Sequence, residues 1–575
     1  MGQTIASQLA RLDKIKHHYG PGTASQVEKI LDRLANVRFR NAEALIRFHD
    51  ALLFLRAFPQ SVGVIRSAER LLAGICHEVE RLRQDGVDLE PFEPENVSGI
   101  AGTTIEQNFT YEVASWLFAR RGDQLRAEWD EEVQSRRLGA ILPRFVPLLE
   151  DDALVEADTP YLKWLREAAG GSERDFAWLM RRFENLSLSQ AEKTELFDAL
   201  DLNLRWELSD SSASRTLSRR PVAEIFCHEA PLLRRNQVSL ADEFAAPRAP
   251  MRKLSAREGE EILDMVREAL TVRGRELYGT TRGDATSVWQ SDVGRGVSIF
   301  LWGLPPPRRL PLRGYHAGFT LKNGVPINYI EGISLFAWME VGFNTFYAYR
   351  DGETAWIYSR VLKLLHQLTG VTCISVYPYQ LGQDNEEAIQ SGAFWFYRKL
   401  GFRPGRPELL ALTRKEEKRM TADAGYRVSK RNLRKLAAGH VFFELNERQS
   451  GLWDSFSTRN IGLAVQRRMA EAFDGDAKRM RSATASATAE ALGTRLWGWN
   501  ELELRAFENI SLVLAMAPDV RKWSKQERRA ALDVIRAKAS ADEVTYLRLM
   551  QRHLPMRDAF LRVGSNDPTG KAATA

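Results

Sequence analysis

The stretch Asn385–Pro404, NEEAIQSGAFWFYRKLGFRP, decides how the chain is read. Phe394, Trp395, Phe396 and Tyr397 follow one another in a segment that predicts a helix. At about 100° per residue, four neighbours cover most of a helix circumference, so one buried face cannot hide them all. At least one ring is expected to face a ligand, a second domain or a partner.

Upstream of this stretch lies a region of strands. The sequence AAPRAP at Ala245–Pro250 reads as a linker, and Met251–Leu254 as a short strand. Ser255 and Glu258 form a capping-box signature that opens a helix with Ile262, Met265, Val266, Ala269 and Leu270 inward. Val297–Trp302 is a short apolar strand. Asn323-Gly324, a strong hairpin signal, joins Tyr315–Leu321 to Val325–Ile330. Ile333–Tyr347, apolar on both faces, predicts one long strand at the sheet centre. A helix over Thr354–Leu368, a strand over Val371–Tyr377 and the aromatic helix complete the region.

The flanks read as helices. Ser25 and Glu28 give a second capping-box signature. Apolar periodicity predicts helices over Ala42–Ala57, Val64–Arg83, Ile105–Arg120 and Leu138–Leu149. The same pattern returns after Glu408. Ser482–Ala489, SATASATA, reads as a loop or frayed helix. The expected organisation is a helical domain over 1–245, an α/β domain over 246–407, a helical domain over 408–564 and a disordered tail over 565–575.

Composition bounds the function. At 575 residues, 44% hydrophobic and 27% charged, the chain has room for several cores. No run of about 18 apolar residues predicts a membrane span, and the first twenty residues hold no apolar signal core, so a cytoplasmic protein is expected. Cys76, Cys227 and Cys373 lie far apart, and no His-Glu-x-x-His pattern occurs. Neither a disulfide framework nor a metal site is expected. Residues 398–435 hold thirteen Lys or Arg against four Asp or Glu. That excess is either a solvated face or a surface for an anionic or protein partner. No nucleic-acid-binding motif accompanies it.

Three features carry a family resemblance: the spacing A-x-x-x-Y-x-x-x-G-F from Ala393 through Tyr397 to Gly401-Phe402, the Asn323-Gly324 hairpin, and the turn Arg350–Ala355. Over about residues 250–404 the chain resembles the GNAT superfamily of acyl-CoA-dependent N-acyltransferases. The resemblance implies an α/β GNAT-like central domain with a mixed, mostly antiparallel sheet, between all-α N- and C-terminal domains. It implies acyl transfer, typically acetyl, from an acyl-CoA to an amine, with no metal. Tyr397 would protonate the departing thiolate. Arg350, Asp351, Gly352, Glu353, Thr354 and Ala355 would face the pyrophosphate at a helix N-terminus, where free N–H groups and the dipole favour anions. Val341, Phe343 and Asn385 would line the rest of the cofactor site. The family pattern at the turn, [Q/R]-x-x-G-x-[G/A], has Glu353 in place of its inner glycine. GNAT cores also continue past the Gly-Phe pair with two strands, whereas Glu408–Leu412 reads as helix, so a shortened sheet is expected.

A general base must take the proton of the acceptor amine. Glu340, Gly342 and Asn344 alternate onto one face of the central strand, and a charged residue in an apolar strand is costly unless paired or functional. Glu340 is the first candidate and Glu331 the second, with an ion pair to arginine as the structural alternative. His316 and His366 are further candidates. A non-catalytic GNAT-like module, whose flanks bind a protein or an anionic partner, is the other reading these residues allow.

Overall fold

The computed structural model describes residues 4–144, 152, 160–209, 212–517 and 519–565. The expected tail over 565–575 lies outside them but for its first residue, as do the last residues of the helix expected over Leu138–Leu149.

A nine-stranded sheet organises the molecule. Three short strands come earlier in the chain, β1 (Thr104–Asn108), β2 (Leu125–Glu128) and β3 (Asn203–Glu207). The large sheet uses β4 (Arg252–Lys253), β5 (Trp289–Asp292), β6 (Val297–Trp302), β7 (Gly314–Lys322), β8 (Val325–Leu335), β9 (Trp338–Thr345), β10 (Cys373–Val376), β11 (Arg403–Pro404) and β12 (Val441–Glu444). Its spatial order is β11-β12-β10-β9-β8-β7-β6-β5-β4. Every neighbouring pair is antiparallel except β9 and β10. The crossover between that parallel pair is the helix Thr354–Thr369, as parallel connections require.

The β7–β8 hairpin turns on Asn323 (φ 49°) and Gly324 (φ 79°), the two positive dihedrals of a type I′ turn. This turn is clamped by the N-terminal flank. The Asn323 amide donates to the Ala57 and Phe226 carbonyls at 2.9 and 3.0 Å and accepts from Phe226 N at 2.9 Å. A Cβ on Gly324 would meet the Arg220 carbonyl at 2.0 Å.

Three hydrophobic cores hold the fold. The largest joins the N-terminal helices to the sheet, so Leu45, Phe54 and Phe58 share it with Phe300, Val341 and Leu362. A second joins Leu335, Phe336 and Trp338 to the C-terminal helices through Trp453, Phe456 and Phe560. The third belongs to residues 105–213, with Val272 alone added from beyond.

The structure corrects several expectations. The N-terminal flank is not all-α, because β1-β3-β2 forms a three-stranded sheet. The helix expected over Ile105–Arg120 is β1 followed by a helix over Tyr111–Arg121. Val64–Arg83 is two helices meeting at Gly74. Ser25 lies inside the helix Thr23–Leu34, and Glu28 accepts from the Ser61 hydroxyl at 3.0 Å. The C-terminal flank is not all-α either. It returns β12 to the sheet, so the sheet expected to end short after Gly401-Phe402 continues through two more strands. Ile333–Tyr347 is not one strand: it folds back at Phe336, whose φ is 53°, and splits between β8 and β9. Ser482–Ala489 sits inside the helix Ala477–Leu492. Among the described residues, no helix is long and apolar enough to cross a membrane.

Candidate functional site

The parallel pair β9/β10 parts early. Trp338, Met339 and Glu340 pair with Cys373, Ile374 and Ser375, and there the ladder stops. β9 runs on to Thr345, so Val341–Thr345 has no strand on this edge among the described residues. β10 ends at Val376 and the chain turns away into the short helix Pro378–Leu381. A gap therefore opens at the sheet centre, with β9 backbone lacking a strand partner along one wall and its Thr345 carbonyl met by Arg350.

Tyr397 reaches this gap. Its ring is buried between Tyr358 and Phe402. Its hydroxyl donates to Gln380 Oε1 at 3.2 Å. Gln380 lies against Gly342, where an added Cβ would stand 2.9 Å from the Gln380 amide nitrogen. Burial pushes the Tyr397 phenol above its ordinary range, so the group keeps its proton. Phe394 is buried, while Trp395 and Phe396 are half-buried. Phe396 tilts against Tyr358 at 6.1 Å.

On the Gly342 face of β9, which Gln380 covers, stand the carboxylates. Glu331 of β8 pairs across the ladder with Gly342 and accepts from the Tyr315 hydroxyl. Burial raises its pKa, and the Tyr315 bond opposes that rise. Glu340 Oε2 lies 3.0 Å from His440 Nε2, and Arg313 is within Coulombic reach of the carboxylate. His440 immediately precedes β12, its carbonyl accepts from Gly405 N at 3.1 Å, and its ring packs at 5.4 Å from the exposed Tyr377. Ring and carboxylate together form a dyad at the mouth of the gap, one-third and one-fifth exposed respectively.

The expected phosphate turn is closed. Glu353 occupies the N-cap position of Thr354–Thr369 but its side chain does not cap it. The fully buried carboxylate accepts from Leu233 N at 3.0 Å and from Arg295 Nε at 2.9 Å. A Cβ on Gly352 would stand 2.5 Å from Phe58 Cζ, so an N-terminal ring covers the turn. Arg350 stacks over Tyr347 at 3.7 Å, pairs with Glu387 and donates to the Thr345 carbonyl at 3.2 Å. Asp351 is exposed, 3.6 Å from His17. The Thr354 hydroxyl donates back to the Arg350 carbonyl, and Ala355 is buried.

No known protein family, curated protein or solved structure matches the chain.

The remaining expected residues are scattered. Val341 is buried, and Phe343 tilts against Tyr358 at 4.9 Å on the face away from Glu340. The Asn385 side chain caps Glu386–Ser391 by accepting from Ala388 N at 3.1 Å. His316 is buried beneath the C-terminal helices, and His366 Nδ1 is held by the Val371 carbonyl at 2.7 Å. The structure thus gathers Tyr397, Glu340 and Glu331 around one gap and leaves Asn385 outside it. Gln380 and His440 belong to the site and were missed from sequence. No local pattern marks either: His440 lies 100 residues from Glu340 and meets it only through the β10–β12 pairing. The basic stretch 398–435 is partly neutralised, since Lys430 and Arg434 share Glu386, Arg398 holds Glu417, and Arg403 holds Glu444 and Asp454.

Proposed function

We propose that the chain is an N-acyltransferase of the GNAT kind, moving an acyl group from an acyl-CoA thioester to an amine in the β9/β10 gap. The observation that carries the reading is the open edge Val341–Thr345 with the Tyr397 hydroxyl one side chain away, through Gln380. An extended amide-bearing donor arm can complete the interrupted ladder there, because free backbone N–H and C=O groups seek partners. The two strands past Gly401-Phe402 also supply the sheet that the resemblance implies. In the reaction the amine nitrogen attacks the thioester carbonyl, the C–N bond forms and the C–S bond breaks. The His440–Glu340 dyad takes the amine proton, and Tyr397 gives its proton to the thiolate. A phenol held protonated by burial suits a donor.

A second reading is favoured by one specific observation. Glu353, Arg295 and Phe58 fill the turn where a pyrophosphate would sit, which fits a non-catalytic module of the same fold whose helical flanks bind a protein or an anionic partner. Titration with acetyl-CoA and longer acyl-CoAs, read as thermal stability, separates the two, since a ligand of the native state raises its stability. A saturable rise supports the transferase. No shift with any acyl-CoA removes it and leaves the second reading.

A further inference from the structure

Three arginines are buried in the seam where the N-terminal helices meet the loop between β9 and Thr354–Thr369. Arg56, Arg215 and Arg273 are 3%, 5% and 4% exposed. Among the described residues, none of the three forms an ion pair. Their donors go to carbonyl oxygens, and Arg56 also meets the Tyr349 hydroxyl. Arg56 donates to Thr216 O at 2.7 Å and Arg215 O at 3.4 Å. Arg215 donates to Asn96 O at 2.7 Å and Glu95 O at 3.3 Å. Arg273 donates to Ala269 O and stacks over Phe346 at 4.0 Å. The Nε of each is buried without a hydrogen-bond partner. Tyr349, fully buried in the same loop, lies within Coulombic reach of all three.

A carbonyl satisfies a donor but does not cancel a unit charge. A buried ion costs several kcal/mol even after relaxation unless a counter-charge meets it. Lysine or histidine would respond by losing a proton, but arginine stays charged. Among the described residues, Asp50, one-third exposed, is the carboxylate that acts on Arg215 and Arg273, and Glu95 is taken by neighbouring Arg275 at 3.1 Å. The Arg275–Glu95 pair at the edge compensates itself, which leaves the three buried guanidinium charges facing Asp50. The neighbouring cleft carries Glu93, Glu95 and Glu106 beside Ser98 and Gly274, so an anion reaches the arginines only when the seam itself opens.

We propose that Arg56, Arg215 and Arg273 form a binding site for a phosphoryl group, single or linked, that completes the seam around Tyr349. Guanidinium forks match phosphoryl oxygens in pairs, and a di- or trianion balances three cations where a lone carboxylate leaves two. The site lies before the closed Glu353 turn and does not depend on acyl transfer. The bland alternative is that the arginines only tie carbonyls of the Glu95–Asn96 and Arg215–Thr216 loops.

The test uses the full chain in sodium phosphate, sodium pyrophosphate and sodium chloride at equal ionic strength, with incubation long enough for the seam to open. Pyrophosphate is expected to raise the melting temperature saturably, by several degrees over chloride, and Arg273→Leu to weaken its binding at least tenfold in isothermal titration. Phosphate acting as well as pyrophosphate identifies a single phosphoryl site; pyrophosphate acting alone identifies a linked one. Should Arg273→Leu not fold, Arg56→Lys, which keeps the charge and loses the fork, is expected to weaken binding at least fivefold. Neither anion exceeding chloride, or unchanged pyrophosphate affinity in the folded variant, overturns the proposal.

Discussion

Lys322 shows how far burial moves a single group. It is fully buried at the end of β7, donates to the Arg295 carbonyl and lies over the Phe58 and Phe226 rings at 5.2 and 4.8 Å. Desolvation lowers its pKa to about 7, with Glu353 opposing the shift and Arg295 assisting it. The unfolded chain keeps this proton up to the ordinary value of 10.5. Between those limits the unfolded state binds more protons, so the contribution of Lys322 to stability rises with pH. Denaturant unfolding at pH 7, 8 and 9 should show that rise, at most ~1.4 kcal/mol per pH unit. Lys322→Met should flatten it, and an identical slope in both proteins would remove the assignment. At the same scale, Tyr397→Phe deletes only the hydroxyl bonded to Gln380. Stability should fall by about 1 kcal/mol. If the proposed transfer operates, turnover should fall by roughly 10² with acyl-CoA affinity kept. Full activity in the variant would sink the role.

Among the elements, the loop before Thr354–Thr369 is held by the N-terminal helices. Gly352 is required there because Phe58 fills the space a side chain would need. Gly352→Ala should destabilise by about 1–3 kcal/mol through overpacking. The cost should shrink in a Phe58→Leu background, a coupling that a double-mutant cycle measures. Additive effects would show that the ring does not restrain the turn. Legibility in the sequence follows the range of the forces at work. The β7–β8 hairpin was readable because Asn323-Gly324 encodes its own dihedrals. The helix Ala256–Thr271 was readable because Ser255 and Glu258 satisfy each other's backbone. β1 and β12 were not, since four or five residues carry too little periodicity and their pairing is supplied from far along the chain. Ser482–Ala489 misled because its small residues lack a hydrophobic stripe. Yet Thr484, Ala485 and Thr488 are buried, and the segment makes close helix packing possible. In the site, Glu340 was legible as a charged residue in an apolar strand and Tyr397 through the family spacing from Ala393 to Phe402, whereas Gln380 and His440 became visible only once the sheet order was known.

For the whole molecule, the distribution of cores predicts the order of unfolding. The N-terminal helices share a core with the sheet, so they should open with it as one unit. Residues 105–213 have a core of their own, joined to the rest by Val272 and by boundary ion pairs such as Arg121–Glu268 and Arg282–Glu112. Native-state hydrogen exchange should therefore show β1, β2 and β3 opening together at a lower free energy than β7 and β8. Equal protection of both sheets would contradict this division. The C-terminal helices are tied in by polar contacts as well. Arg309 donates to the Lys538, Ser540 and Ala541 carbonyls at 2.6–3.0 Å.

The place of β12 has a further consequence for how the chain is made. The strand enters between β10 and β11 after an excursion through Gly405–His440. Until Val441 has been synthesised, a growing polypeptide holding every earlier strand still offers the bare margin of β10 to its surroundings. Such a margin is a template for illegitimate pairing with other chains. Truncations ending shortly after Pro404 should form insoluble aggregates during expression, and extension through Glu444 should relieve them. The last strand to arrive thus acts as a wedge that seals the assembly against its neighbours.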